Sequence, residues 1–325
     1  MRKKPFFLFL CVFLTLGFSL VFFLPKYEKK TEPDSSRVYL ELWHVDTFEG
    51  GTGSRSSFLS VVAREFEKVS DGKIVVTVKN QSEESVAELI GKGIVPDMLS
   101  YGVGLELPYS LLRKCGEPPY EYSPVWCEGG YVAIYRKNEK INEIVIAEQK
   151  YSAAELALGL CGKSLSEIVA SGAEKTETIK IGSSGAIYEF YKSKGALLVG
   201  TQRDIYRLER KNMDVEYVPL GGYNDLFQYV SVVSATDEKA KESVKFLAYL
   251  LSEKVQKKLA KIGMLSHVYG AGGNADEPIC ILKSYSYRYA ASPLIRKDDL
   301  AELKKMAADG ANADELVAKG YVFKV

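Results

Sequence analysis

The chain has 325 residues, of which 43 are Lys or Arg, 42 are Asp or Glu, and 46% are hydrophobic. A formal net charge of +1 provides no global field for nucleic acid, so no nucleic-acid partner is expected, and the apolar content excludes disordered and collagen-like classes. The length fits about two domains at roughly 150 residues each. The two histidines, His44 and His267, stand far apart, so neither a metal site nor a cofactor is expected.

The first element is apolar. After Arg2, Lys3 and Lys4, the stretch from Phe6 to Leu24 runs 19 residues without a charge and holds seven of the chain's 14 Phe. That length crosses a hydrocarbon core of about 30 Å. A cationic flank followed by an apolar run also begins a secretory signal, but no small-x-small cleavage pair stands near Leu24. In Leu8-Phe9-Leu10-Cys11, Leu10 fills the position where a bacterial lipobox needs a small residue, so Cys11 reads as an apolar member of a membrane helix. Lys26, Lys29 and Lys30 nearly balance the N-terminal cations, leaving the orientation to the short tail and the polar linker up to Ser36. Residues 1–36 are thus expected to form a single signal anchor and linker in the cell membrane, with the bulk of the chain extracytoplasmic.

Strands and helices then alternate. Val38 to Trp43 reads as a strand running into a glycine-rich loop, Glu49-Gly50-Gly51-Thr52-Gly53-Ser54. Phe58, Leu59, Val62 and Phe66 recur at helical spacing, Asp71-Gly72 stops that helix, and Lys73 to Val78 forms a second strand. Ser82-x-x-Ser85 opens a short helix, and the chain from Gly93 to Tyr101 makes a third edge. This βαβαβ order argues for a mostly parallel sheet with its ligand crevice beyond the carboxyl ends of the strands. Cys115 and Cys127 flank a loop rich in Pro and Tyr. A disulfide there would stabilise by about 3 kcal/mol; two free buried thiols are the alternative.

The same order returns. Gly130 to Tyr135, Ala196 to Gly200, Val215 to Val218 and Tyr229 to Ser234 read as strands. Lys239 to Leu251 reads as a helix, with another through Ile262 and two more near Asp298 to Ala308 and Ala313 to Lys319. Nothing marks a single boundary, so two α/β lobes are expected with the chain crossing between them more than once. Ala157 to Ser164 fits a loosened phosphate-binding loop, but the residues before it read as helix where such a loop must follow a buried strand.

Several motifs together resemble a known family. Leu42-Trp43-His44, Glu49-Gly50-Gly51, Phe66-Glu67-Lys68 ahead of a strand, and Gly93-x-x-Pro96-Asp97 look like the N-terminal lobe of bacterial extracellular solute-binding proteins of the sugar-binding family 1. Pro124-x-x-x-x-Gly129-Gly130-Tyr131 is similar to that family's first crossing into the second lobe, and Lys194 to Gly200 resembles its strand before a ligand-facing loop. Val230 to Ser234, Ala240 to Gln256 and Gly263-Met264-Leu265-Ser266 resemble its return strand, helices and small-residue loop. The likeness covers Val38 to His267. It implies a two-lobed α/β clamp of the periplasmic-binding-protein-like type II, with residues 37–135 plus 231–275 as lobe I and residues 136–230 plus 276–325 as lobe II. It also implies that the clamp closes on a small-molecule solute, a sugar, and hands it to an ABC transporter permease without catalysis.

A sugar site needs aromatic platforms and forked polar groups. Trp43, Trp126, Tyr101 and Tyr131 are the candidates for stacking; Asp46, Glu49 and Asp97 for accepting from hydroxyls; Arg55 and Arg203 for donating; Gly50 and Gly51 for exposing backbone amides. Gln202 joins them because Thr201 to Asp204 follows a strand and opens a helix. Each has a plain alternative: Trp43 in the core, Trp126 fixed in a turn beside Cys127, Asp97 capping a turn, Ser54 capping a tight strand-to-helix turn, and Thr201 to Asp204 an ordinary cap. The rival function is an anchored extracellular enzyme acting on glycans, with two of Asp46, Glu49 and Asp97 as acid and base. A ligand-presenting sensor would share the same binding lobes.

Overall fold

A computed structural model describes residues 37–105, 107–161, 177–233, 236–268, 287–293 and 295–325. The expected anchor at residues 1–36, with Cys11, lies outside the described residues, as does Cys280. Among the described residues no helix is long and apolar enough to cross a membrane.

The chain begins with β1 (Val38–His44), α1 (Arg55–Val69), β2 (Ile74–Asn80), α2 (Glu83–Gly91) and β3 (Met98–Gly102). The hydroxyl of Ser54 accepts the Ser57 amide at 3.2 Å and starts α1, whose Phe58, Leu59, Val62, Ala63 and Phe66 are buried. Left-handed Asp71 and Gly72 end it and turn the chain into β2. β4 (Val125–Glu128) follows a long loop, and β5 (Tyr131–Arg136), β6 (Glu143–Glu148), α3 (Ala154–Gly159), β7 (Glu177–Gly182), α4 (Ser183–Lys192), β8 (Ala196–Thr201), α5 (Gln202–Glu209) and β9 (Val215–Pro219) build a second layer. β10 (Tyr223–Asn224) and β11 (Phe227–Val232) lead to α6 (Asp237–Leu250) and α7 (Glu253–Gln256). β12 (Tyr289–Ala291), α8 (Lys297–Ala308), α9 (Ala313–Ala318) and β13 (Val322–Lys324) close the chain.

The strands make two five-stranded sheets, β2-β1-β3-β11-β4 and β7-β6-β8-β5-β9, and a small sheet β10-β12-β13. β1, β2 and β3 are parallel, and so are β6, β7 and β8, while β11 and β5 run against their neighbours. Each large sheet is therefore a parallel α/β core carrying antiparallel strands where the chain crosses. The two large sheets make two α/β lobes between which the chain crosses more than once.

The crossings correct the expected boundaries. Strand pairing puts Tyr131–Arg136 wholly in the second sheet, so the first crossing falls at Gly129-Gly130, not after Tyr135. The return is complete by Phe227, where β11 pairs with β3 and β4, so Tyr229 sits buried inside the first sheet and not in lobe II, where the expected bound at residue 230 put it. Six strands lie where none is expected: β6 and β7 in the second large sheet, β4 in the first, and the short β10, β12 and β13 of the small sheet. The helix read through Ile262 is broken into α7 and a 3-10 turn, Leu259–Ile262, ended by left-handed Gly263. Cys115 and Cys127 are free thiols, the second fully buried on β4.

Candidate functional site

The carboxyl ends of β1, β6, β7 and β8 face one cavity of about 600 Å³. The first lobe supplies the loop from Asp46 to Ser54 and Arg55 at the start of α1; the second supplies Glu148, Gln149 and Lys150 after β6, Ser183 at the start of α4, and Arg203 on α5. Parallel strands bring loops and helix N-termini to one edge, so this is where the topology predicts a ligand crevice. Among the expected residues, Asp46, Glu49, Gly50, Gly51, Arg55 and Arg203 come together here.

A relay of hydrogen bonds fixes the first wall. The indole Nε1 of Trp126 donates to Ser100 Oγ at 2.9 Å, and Ser100 Oγ lies 3.0 Å from Nδ1 of the fully buried His44. The ionised Asp46 can only accept, so the neutral His44 ring carries its proton on Nε2, which donates to Asp46 Oδ1 at 3.0 Å, and leaves Nδ1 to accept the Ser100 hydroxyl. Burial holds His44 neutral by lowering its pKa, against the pull of Asp46. Arg55 Nε donates to the same Asp46 oxygen at 2.8 Å, and its guanidinium bonds the Phe48 carbonyl and lies over the Phe48 ring. Burial works to raise the Asp46 pKa, but the His44 N–H and the Arg55 charge outweigh it and hold the carboxylate well below its usual range.

Glu49 reaches across to the second wall. Its Oε2 accepts from Ser183 Oγ at 2.8 Å and from Arg207 Nη2 at 2.9 Å, with Arg203 Nη1 at 3.5 Å. Its backbone N–H donates to Gln149 Oε1 at 2.6 Å. Partial burial is again outweighed, here by the Ser183 hydroxyl and the charges of Arg207 and Arg203, so Glu49 is held ionised. Arg207 is itself anchored by Asp204 at 3.1 Å, and Asp204 caps α5 through the Thr201 N–H at 2.9 Å.

The loop between these walls is pinned from behind. Gly51 has φ +72°, and a Cβ there would stand 2.2 Å from the Ile262 carbonyl oxygen, which Thr52 N–H reaches at 2.7 Å. Glycine is therefore required by both dihedral and space. The tight turn capped by Ser54 and the cleft lining are the same loop.

The other expected residues are placed elsewhere. Trp43 is 2% exposed with its Nε1 bonded to the Glu41 carboxylate, and Trp126 is 0% exposed and stacks on Phe58 at 5.9 Å. The Tyr101 hydroxyl lies between Ser123 and Ser231 at 2.7 and 3.0 Å. Tyr131 donates to the buried Asp225 at 2.5 Å. None of these four rings is a platform in the cleft, because each points into the core from its strand. Asp97 sits at the amino end of β3, away from the crevice, and takes the Glu41 amide at 2.8 Å and Lys239 at 3.1 Å. Gln202 holds the crossing: its Oε1 accepts the Gly130 amide at 2.9 Å and its Nε2 donates to the Gly263 carbonyl at 3.2 Å.

Gln149, Ser183 and Arg207 were not among the expected residues. Arg207 follows Arg203 by one helical turn, a spacing that puts both on one face. Ser183 opens a helix after a strand in Gly182-Ser183-Ser184-Gly185, a segment that lacks the spacing of a nucleophile elbow.

No protein-family model matches the chain, and no curated protein sequence matches it. Solved structures do. The galacto-N-biose-/lacto-N-biose I-binding protein of an ABC transporter from Bifidobacterium longum superposes with a TM-score of 0.54 at 14% identity, covering 87% of this chain and 93% of that one. The cyclic alpha-maltosyl-1,6-maltose binding protein from Arthrobacter globiformis gives 0.52 at 12% identity, with 88% and 97% covered. Iron-bound HitA from Pseudomonas aeruginosa gives 0.51 at 13% identity, with 83% and 99% covered. The chain has the fold of solute-binding proteins. At these identities the likeness speaks for the fold, and the ligands of these three differ in kind.

Proposed function

We propose that this protein is a solute-binding clamp, held outside the cell membrane by its N-terminal segment, that captures a small hydrophilic solute between its lobes and delivers it to the permease of an ABC importer. The observation that carries this reading is the cavity of about 600 Å³ walled by both lobes at the carboxyl ends of four parallel strands. Its volume lies within the roughly 300–1,000 Å³ of small-molecule sites. Carbohydrate is the solute class we favour: the Asp46 carboxylate, the Gln149 amide, the Ser183 hydroxyl, the guanidinium groups and a glycine-rich loop suit dense hydroxyls. Such a sugar is held by hydrogen bonds rather than by stacking, since the candidate rings are in the core.

Hydrolysis fits this cleft less well. Two-carboxylate chemistry needs one group protonated near neutral pH, whereas Asp46 and Glu49 are both held ionised by their neighbours. The test is to incubate the full-length protein with labelled mono- and oligosaccharides and follow both binding and integrity. Saturable binding with the sugar recovered intact supports the clamp; released product that disappears in Glu49→Gln overturns it.

A further inference from the structure

The anion-facing half of the cleft is already occupied by the protein itself. Three donors from the second lobe, Ser183 Oγ, Arg207 Nη2 and Arg203 Nη1, converge on one oxygen of Glu49, which belongs to the first lobe. The Ser183 hydroxyl also accepts from Arg207 Nη1 at 2.9 Å, so hydroxyl and guanidinium are held in register with each other. Asp204 is engaged as the cap of α5 and as the partner of Arg207 Nη1, so Arg203 and Arg207 Nη2 take their carboxylate from outside their own lobe. Among the described residues Arg203 has Glu49 as its ion-pair partner.

A second observation comes from the opposite wall. Arg55 lines the same cavity at 5% exposure; its Nε and Nη2 are bonded, while its Nη1 has no hydrogen-bond partner. A buried guanidinium N–H left unpaired is costly, and the cleft wall thus keeps a cationic donor unsatisfied.

Resting on the clamp reading, we infer that Ser183, Arg203 and Arg207 form a carboxylate seat, that Glu49 fills it when the clamp is shut without solute, and that the solute carries a carboxylate which enters by displacing Glu49. Glu49 is then an internal competitor: it holds the lobes together through a bond the solute must replace, and it selects acidic solutes, such as sugar acids, over neutral ones. The departing Glu49 side chain, 41% exposed already, swings into solvent.

The seat can be tested without knowing the solute, using acetate as the probe. In full-length Glu49→Ala the seat is vacant, so sodium acetate raises the unfolding midpoint relative to sodium chloride at equal ionic strength. Wild type, whose seat is filled, binds acetate at least tenfold more weakly. Adding Arg207→Met to Glu49→Ala abolishes the acetate response, and Glu49→Asp, which keeps a carboxylate, responds less than Glu49→Ala. Equal acetate responses in wild type and Glu49→Ala, or none in Glu49→Ala, overturn the seat. A neutral sugar that stabilises wild type and Glu49→Ala equally also overturns it, while leaving the clamp itself standing.

Discussion

Replacing Asp225 by Asn changes how stability depends on pH. Asp225 is fully buried where the chain returns from the second lobe to the first, and it accepts from Tyr131 OH at 2.5 Å, Ala153 N–H at 2.7 Å and Tyr223 OH at 3.1 Å. Burial pushes its pKa up from 3.8 to about 6, and the three donors only partly reverse this. The folded protein therefore binds this proton more tightly than the unfolded chain does. The associated stability is fully present below pH 3.8 and is lost as pH rises through about 6. A shift of about two units corresponds to ~3 kcal/mol at 1.36 kcal/mol per unit. Asp46 and Glu49, whose pKa values are lowered, act with the opposite sign: their contributions are present above their ordinary pKa and fade as pH falls. The difference between wild type and Asp225→Asn isolates the buried group. Urea unfolding followed by fluorescence of the two buried tryptophans, at several values from pH 4 to 7, should show wild type losing ~3 kcal/mol relative to the variant across that window. Parallel profiles would refute the reasoning.

Three further outcomes follow. Asp46→Ala removes the partner of the buried Arg55 Nε and of His44 Nε2; with Asp46 itself half exposed, the expected loss is about 1–3 kcal/mol, measured by denaturant unfolding. Gly51→Ala forces a Cβ against the Ile262 carbonyl at a left-handed φ and should destabilise by about 1–3 kcal/mol; an unchanged unfolding midpoint would show that the loop relaxes freely. Trp126→Phe leaves Ser100 without its indole donor and should lower stability by about 1–3 kcal/mol in denaturant unfolding; an unchanged unfolding midpoint would refute a structural role for the indole bond.

How much could be read from the sequence depends on which lobe a residue belongs to. The first wall was legible because it is local: one strand, one glycine-rich loop and one amphipathic helix in succession place Asp46, Glu49, Gly50, Gly51 and Arg55 at a carboxyl edge. Arg203 was legible for the same reason. The second wall was not, since β7 is an exposed edge strand whose Ile179 and Ile181 give only a faint alternation, and β6 went unread although Ile144-Val145-Ile146 is a buried run. Without those strands, Gln149 and Ser183 had no edge to stand on. The aromatic residues misled for a different reason. A tryptophan on a strand faces either the core or the crevice according to how the sheet is ordered, and β4 pairs with β11, a partner about a hundred residues away in sequence. Asp97 shows the same dependence: it lies at the amino end of its strand, which only the parallel pairing with β1 identifies as the end away from the cleft.

The central claim is that a small solute binds between the lobes. The most direct measurement is isothermal titration of the full-length protein, and of Arg203→Ala and Gln149→Ala, with solutes found by thermal-unfolding screening of sugars, sugar acids and amino acids. A solute at 100 times its dissociation constant raises stability by about 2.7 kcal/mol, enough to be seen in such a screen. The account predicts one site per chain and an affinity weakened at least tenfold in each variant. A solute that binds all three proteins equally would contradict it.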